Sequence, residues 1–163
     1  MRGNHIVYIF SMLLAVLITI AGCNRNTRTC NTTPLANDST PPHSLEFRVT
    51  WSDPNQPNEL GSISIIGSPA TVPVPSGKGF FVIVSAWDND GINKILLDYT
   101  QFNNDGTQFT NAVSEDYSCI EQERTYRRWF DGGNNRSFNF RADVFDFQNN
   151  KRSTATIRIN EIP

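Results

Sequence analysis

The sequence predicts an all-β domain that begins near residue 45, built as a sandwich or a small barrel. Short stretches in which apolar and polar residues alternate recur along the chain, and clusters of Asn, Asp and Gly separate them. No stretch after the N-terminal apolar run repeats apolar residues with the period of a helix. The pattern gives about seven or eight short strands, which suits either architecture.

The first three predicted strands lie before residue 88. Residues 45–51 alternate between apolar and polar, so one face of this strand is expected to be buried. Asp53-Pro54 ends the strand, and the isoleucines at 63–66 predict a short second strand. The run 80–87 is apolar on both faces, which is typical of a central strand.

Five further strands are predicted in the second half of the chain. Asn104-Asp105-Gly106 predicts a hairpin between strands at 95–99 and 108–113. The sequence Asp-Gly-Gly-Asn-Asn at 131–135 predicts a second hairpin, between strands at 124–130 and 137–147. Alternating residues at 154–159 predict the last strand.

The N-terminus carries the one long apolar run, at residues 6–20, after a start that contains Arg2. With about 15 residues it is shorter than the roughly 20 of a membrane-spanning helix, and its pattern is typical of a secretory signal. The run closes on Ile20-Ala21-Gly22-Cys23, which resembles the lipobox of bacterial lipoproteins. This resemblance implies a signal peptide at 1–22 and a covalent lipid on Cys23.

A lipid on Cys23 implies a membrane as partner and the bacterial cell envelope as location. Two or more acyl chains hold a protein on a bilayer, since each buried methylene contributes about 0.8 kcal/mol. Asn24 in the next position favours the outer membrane. Two alternatives stay open: an ordinary cleaved signal that leaves Cys23 unmodified, and an uncleaved transmembrane anchor. Residues 23–44 are polar, contain three prolines and predict a flexible tether.

Lipidation of Cys23 would leave Cys30 and Cys119 as a pair. Disulfides persist in oxidising compartments such as the envelope, so we expect these two cysteines to be bonded. Closing a loop of about 90 residues stabilises the fold by about 4–5 kcal/mol in the chain-entropy description. Two unpaired thiols are the alternative.

Two segments share one design, in which an apolar strand ends in an Asp that opens a turn. They are 82–92, with Asp88, and 140–150, with Asp146. These segments resemble the second and the penultimate strands of bacterial immunoglobulin-like and fibronectin-III-like domains, including cadherin-like relatives. The resemblance spans about residues 80–162 and implies an immunoglobulin-like antiparallel β-sandwich for 45–163. Asn149 stands where these relatives usually have Gly, so a positive φ is expected there.

Asp88, Asp90 and Asp146 are candidate Ca²⁺ ligands, as carboxylates are in cadherin-like modules. An EF-hand loop is excluded because it needs Gly at its sixth position, whereas Gly91 is fourth from Asp88. The sequence favours the alternative of turns in which each Asp side chain accepts backbone N–H groups. Apart from the lipid, no cofactor is therefore expected.

Residues 124–130 form the densest cationic and aromatic stretch of the chain. Guanidinium groups bind anions, and aromatic rings stack on the apolar faces of ligands. The alternative is an ordinary strand with Tyr126 and Phe130 inward and with Arg127 and Trp129 on the other face. In this alternative the arginines are expected to pair with the nearby acidic residues Glu121, Glu123 and Asp131. Packing roles are expected for Trp51 and Trp87. The candidate ligand-binding residues are Trp87, Arg124, Tyr126, Arg127, Arg128 and Trp129.

The net charge and the motifs of the sequence limit the classes of function that we expect. The net charge of −2, without a clustered basic surface, excludes a general nucleic-acid binder. No histidine follows His43, and the nucleophile-elbow and zinc-protease motifs are absent from the sequence, so an enzyme is not expected. The sequence favours a binding or scaffolding module for a protein or glycan partner. The alternatives are a carbohydrate-binding module that uses exposed aromatic residues and a small carboxylate-based hydrolase.

Overall fold

A computed structural model of the chain describes residues 33–34, 37–53, 56–65, 70–133 and 136–162. These residues form two packed β-sheets, which confirms the prediction of an all-β sandwich. Within these ranges, a helix of the length and hydrophobicity needed to span a bilayer is not found.

Ten strands make up the described part of the chain. They are β1 (Ser44–Asp53), β2 (Gln56–Ile65), β3 (Ala70–Pro75), β4 (Phe80–Trp87), β5 (Ile92–Phe102), β6 (Gln108–Asp116), β7 (Glu123–Phe130), β8 (Ser137–Asp146), β9 (Lys151–Ser153) and β10 (Ile157–Ile162).

One sheet has the order β2-β1-β4-β7, and the other has β3-β10-β8-β5-β6, with β9 on β8. All pairs are antiparallel except β3 with β10, which is parallel. The order β1-β4-β7 facing β10-β8-β5 is the strand arrangement of immunoglobulin-type sandwiches. The two strands that carry the shared design, β4 and β8, therefore lie in opposite sheets.

The strand count exceeds the predicted seven or eight because of β3 and β9. β3 contains Pro73 and Pro75, which lack a backbone N–H and argue against a strand in sequence. The structure places β3 at a sheet edge, where prolines are tolerated. β9 is only three residues long and offers too little pattern to be recognised.

The predicted hairpin at 131–135 is wrong. β7 pairs with β4 in one sheet and β8 pairs with β5 and β10 in the other, so the chain crosses between sheets here. The Gly- and Asn-rich composition predicts a change of direction but not the sheet that receives the next strand. Glu161 of β10 contacts both sides of this crossing: its carboxylate accepts hydrogen bonds from the backbone N–H groups of Gly133 at 2.8 Å and Arg136 at 3.0 Å.

The core lies between the sheets and is rich in phenylalanine. Phe80 of β4 stacks on Phe130 of β7, with ring centroids 5.7 Å apart. Phe130 in turn meets Phe140 of β8 edge to face at 4.9 Å. Such pairs contribute about 0.5–1.5 kcal/mol beyond the burial of their area. The predicted central position of β4 is confirmed, since it lies between β1 and β7.

The predicted turn chemistry is confirmed at two places. Asp105 accepts the backbone N–H of Thr107 at 2.9 Å in the β5–β6 hairpin, where Gly106 has a φ of 82°. Asn149 has a φ of 66°, as expected from its place in the second Asp turn.

The predictions for the N-terminus fall mostly outside the described residues. The signal peptide at 1–22, the lipidation site Cys23 and Cys30 all lie there. Cys119 lies between β6 and β7, and its pairing with Cys30 stays a prediction. The described end of the predicted tether lies against the sandwich: the N–H of His43 donates to the carbonyl of Trp87 at 2.9 Å, and Arg152 donates to the carbonyl of Pro42 at 2.9 Å.

Candidate functional site

Three acidic side chains meet at one end of the sandwich. Asp38 precedes β1, Asp88 follows β4 and Asp146 ends β8, and one carboxylate oxygen from each lies within 4.8 Å of the other two. β4 and β8 belong to different sheets, so the fold brings their terminal Asp residues together across the sandwich. Asp90 lies beside them and interacts electrostatically with all three. We call Asp38, Asp88, Asp90 and Asp146 the acidic cluster.

Two members of the acidic cluster have the predicted turn geometry. Oδ1 of Asp88 accepts the N–H of Asp90 at 2.8 Å. Oδ1 of Asp146 accepts the N–H groups of Gln148 and Asn150, each at 2.8 Å, and its Oδ2 accepts the side-chain amide of Asn150 at 2.8 Å. Asp146 is therefore well satisfied by its own turn.

Asp88 and Asp90 retain buried oxygens without partners. Oδ2 of Asp88 and both oxygens of Asp90 have no hydrogen-bond partner among the residues that the structure describes. The side chains are 0% and 1% exposed, respectively. A buried carboxylate without a partner is costly, so unsatisfied oxygens at such a place call for a ligand or a proton.

The electrostatics of the acidic cluster follow from this burial. Desolvation raises the pKa of Asp88 above its usual range, and the negative charges of Asp146 and Asp38 raise it further. Desolvation also raises the pKa of Asp90, with the carboxylate of Asp38 as the next cause. The described ion pairs use carboxylates outside the acidic cluster, and an electrostatic interaction with His43 opposes the rise in the pKa of Asp88.

Asp38 was not predicted as a site residue. Its carboxylate accepts the N–H and the hydroxyl of Thr40 at 2.8 Å and 2.6 Å, which lowers the pKa of Asp38. Its backbone carbonyl accepts the side-chain amide of Asn150 at 3.1 Å. No strand pattern surrounds Asp38, and its proximity to Asp146 depends on a contact between distant parts of the chain, so local sequence offers no signal for it.

A second candidate site lies on the outer face of the four-stranded sheet. Trp129 of β7 is 43% exposed, and its ring meets Phe81 of β4 at 4.6 Å between centroids. The guanidinium carbon of Arg127 lies 3.6 Å from the centroid of Phe81. The indole N–H of Trp129 donates to Asp131 at 2.9 Å, so the ring is held from two sides. We call Phe81, Arg127 and Trp129 the aromatic surface.

The inward side of β7 belongs to the core. Tyr126 and Phe130 are each 7% exposed, and Arg127 and Trp129 face outward, which is the alternation expected of an ordinary strand. Burial raises the pKa of the Tyr126 hydroxyl. Tyr126 is thus not presented to a ligand.

The remaining predicted residues lie apart from the aromatic surface. Arg124 pairs with Glu121 at 2.9 Å and covers the ring of Tyr117 at 4.5 Å. Arg128 is exposed on β7, and Trp87 lies at the far end of β4, where its ring is 5.4 Å from that of His43. The predicted partner Asp131 is bonded to Trp129, as described above.

No known protein family matches this chain, and no curated protein is significantly similar to it.

Proposed function

We propose that this chain is a lipid-anchored protein of the bacterial cell envelope whose immunoglobulin-like sandwich binds a protein partner. The lipobox resemblance at Cys23 supports the anchor, with the outer membrane favoured by Asn24. The observation that carries the binding function is the aromatic surface, where an exposed Trp129 is fixed beside Arg127 on a regular strand.

The composition of the aromatic surface suits a protein interface. Trp and Arg are the residues that most often dominate binding energy at such interfaces. Phe81 and Asp131 already hold the ring of Trp129, so little side-chain entropy is lost when a partner covers it. The aromatic surface is therefore prepared for contact before the partner arrives.

The position of β7 adds a second mode of contact. Among the described residues, β7 pairs with β4 alone and ends its sheet. An edge strand offers backbone N–H and C=O groups to an added strand. Arg127 and Arg128 are exposed on β7, so a partner segment that carries carboxylates is favoured.

The positions of the aromatic and acidic residues argue against the two alternatives, a carbohydrate module and a hydrolase. A carbohydrate module would use Trp87, Tyr126 or Trp129, yet Tyr126 faces the core and Trp87 lies at the far end of β4, so of these three Trp129 alone is presented on the aromatic surface. A hydrolase would need carboxylates open to substrate, yet Asp88 and Asp146 are fully buried. A protein-binding module agrees best with these positions.

Photo-crosslinking in intact cells tests the binding proposal. A photoreactive residue at position 127 should give a protein adduct that the additional change Trp129→Ala abolishes. The matched control places the same residue at position 71, which is exposed on the edge strand β3 of the other sheet and should give no such adduct. Adducts that form equally at both positions, or that persist with Trp129→Ala, would contradict the proposal. Glycan-array binding that Trp129→Ala removes would favour the carbohydrate alternative instead.

Palmitate labelling tests the anchor. Cys23→Ser should lose both the label and membrane fractionation, whereas the control Cys30→Ser should keep both. An unmodified residue 23 at the amino terminus of the processed protein, found by mass spectrometry, would refute lipidation.

A further inference from the structure

We propose that the acidic cluster binds one Ca²⁺ ion, which fastens the segment before β1 to the end of the sandwich. Carboxylate oxygens of Asp38, Asp88 and Asp146 converge there from three separate parts of the chain, and Asp90 interacts electrostatically with all three. The proposal is independent of the binding function suggested for the aromatic surface.

The spacing of the oxygens suits a single ion. Ca²⁺ binds oxygen ligands at about 2.3–2.6 Å, so two ligands on opposite sides of one ion lie about 4.8 Å apart. The oxygens of Asp38, Asp88 and Asp146 all fall within 4.8 Å of one another. One ion placed among them therefore reaches all three without a change of fold.

The unsatisfied oxygens supply the independent evidence for a ligand. Asp90 is 1% exposed, yet neither of its oxygens has a hydrogen-bond partner among the described residues. Asp88 is fully buried and keeps Oδ2 unpartnered. These groups face the charges of Asp38 and Asp146, so a cation at this point would satisfy the buried oxygens and offset the repulsion.

The donor set selects the kind of ion. The acidic cluster offers carboxylate oxygens, which hard cations prefer, and Cys or His ligands of the zinc type are not part of it. The ring nitrogen of the nearby His43 is within 3.2 Å of the side-chain amide of Asn89. Ca²⁺ fits better than Mg²⁺ because it accepts many protein oxygens in irregular geometry, whereas Mg²⁺ keeps most of its water.

Because Asp38 lies outside the sandwich, an ion bound to it would have a structural role. Asp38 belongs to the segment that leads from the predicted lipid anchor into β1, and Asp88 and Asp146 belong to the sandwich. An ion shared between them ties this segment to the domain. Ca²⁺ would thereby limit how far the sandwich moves relative to the membrane surface.

Calcium titration of the full-length chain, purified in detergent and stripped of divalent ions, tests the proposal. We expect saturable binding of one Ca²⁺ by calorimetry, a melting temperature that rises with Ca²⁺ concentration, and slower hydrogen exchange at residues 38–43. The weakest extracellular calcium modules have dissociation constants of about 1 mM. Absence of binding at about 10 mM Ca²⁺, roughly ten times that value, would therefore overturn the proposal. Mg²⁺ binding as tight as Ca²⁺ binding would overturn the assignment of the ion.

A pair of Asp→Asn variants locates the site. Asp90→Asn keeps the backbone hydrogen bond from residue 90 to Oδ1 of Asp88 and should weaken Ca²⁺ binding about tenfold or more, since affinity follows the negative charge around the ion. Asp105→Asn changes a similar turn residue in the β5–β6 hairpin, outside the acidic cluster, and should leave binding unchanged. Unaltered affinity in Asp90→Asn would refute the site.

A second variant covers the case in which Asp90→Asn does not fold. Asp38→Asn lies outside the strands and should weaken Ca²⁺ binding while circular dichroism in EDTA stays that of a folded β-protein. Tb³⁺ luminescence excited through tryptophan gives a further readout, because Trp87 immediately precedes Asp88. A Tb³⁺ signal that Ca²⁺ displaces from the wild type and that Asp38→Asn loses supports the proposal. A signal unaffected by Asp38→Asn contradicts the role of this residue.

Discussion

The side-chain nitrogen of Asn150 lies 3.1 Å from the backbone oxygen of Asp38. The same nitrogen lies 2.8 Å from Oδ2 of Asp146. A single amide thus links the turn after β8 to the segment before β1. This contact positions Asp38 beside the sandwich even without an ion.

Replacing Asn150 with Ala should loosen this segment. The change removes both side-chain hydrogen bonds and leaves the carbonyl of Asp38 without this donor, which should cost about 1–3 kcal/mol of unfolding free energy. Hydrogen exchange at residues 38–43 should become faster, as measured by mass spectrometry in EDTA. The control Thr156→Ala alters an exposed side chain and should leave the exchange unchanged. Equal exchange in both variants would show that Asn150 does not hold the segment.

Replacing Gly91 with Ala should lower the unfolding free energy far more than replacing Gly106 with Ala, although both glycines have a positive φ. The two values are 84° and 82°, so Ala carries a similar backbone penalty of about 1–2 kcal/mol at each site. A Cβ at Gly91 would meet Cγ2 of Ile120 at 2.7 Å, whereas a Cβ at Gly106 would meet nothing within 4 Å. Urea denaturation should therefore show a larger loss for Gly91→Ala than for Gly106→Ala. Equal losses would mean that the backbone penalty alone matters.

Sequence predicted the parts of the fold that depend on local pattern. The alternation along β1 and β7 indicated which face of each is buried, and the apolar run of β4 indicated its central place. β3 was missed because Pro73 and Pro75 argue against a strand, and only its position at a sheet edge makes them acceptable. The crossing after β7 was misread because turn residues do not specify which sheet receives the next strand.

The two candidate sites were predictable to different degrees. Asp88 and Asp146 were found because each ends a strand of the same design, and the fold places the two strand ends together. Asp38 was missed because its place depends on long-range contacts with Asn150. On the aromatic surface, alternation indicated that Arg127 and Trp129 share a face. It did not identify Phe81, since both faces of β4 are apolar in sequence.

In the absence of divalent ions, Asp88 and Asp90 should make the protein more stable as the pH falls from neutral toward the ordinary aspartate pKa of 3.8. The pKa values of Asp88 and Asp90 are raised above the ordinary value of 3.8, chiefly by burial. Between the ordinary and the raised pKa the folded state binds more protons than the unfolded chain, so the unfolding free energy increases as pH falls. Asp38 and Asp146 add to the rise at Asp88, and His43 opposes it.

Urea denaturation in EDTA at several pH values measures this dependence. Asp90→Asn removes one of the two groups and should reduce the slope, whereas Asp105→Asn should not, because the pKa of Asp105 is lowered by Thr107. A wild-type stability that decreases steadily over this range would contradict the expectation.

Glu161 should be essential for the crossing between the sheets. Its carboxylate is buried and accepts the N–H groups of Gly133 and Arg136, one at each oxygen. Gln at position 161 keeps one acceptor but turns an NH₂ group toward the other backbone donor, so Glu161→Gln should cost about 1–3 kcal/mol despite its equal size. Glu161→Ala should cost more, because both donors then lose their partner. Glu123→Gln, at an exposed position on β7, makes the same chemical change and should stay within about 0.5 kcal/mol of the wild type. Urea denaturation measures both losses of unfolding free energy. A loss for Glu161→Gln as small as that for Glu123→Gln would show that the two hydrogen bonds do not hold the crossing in place.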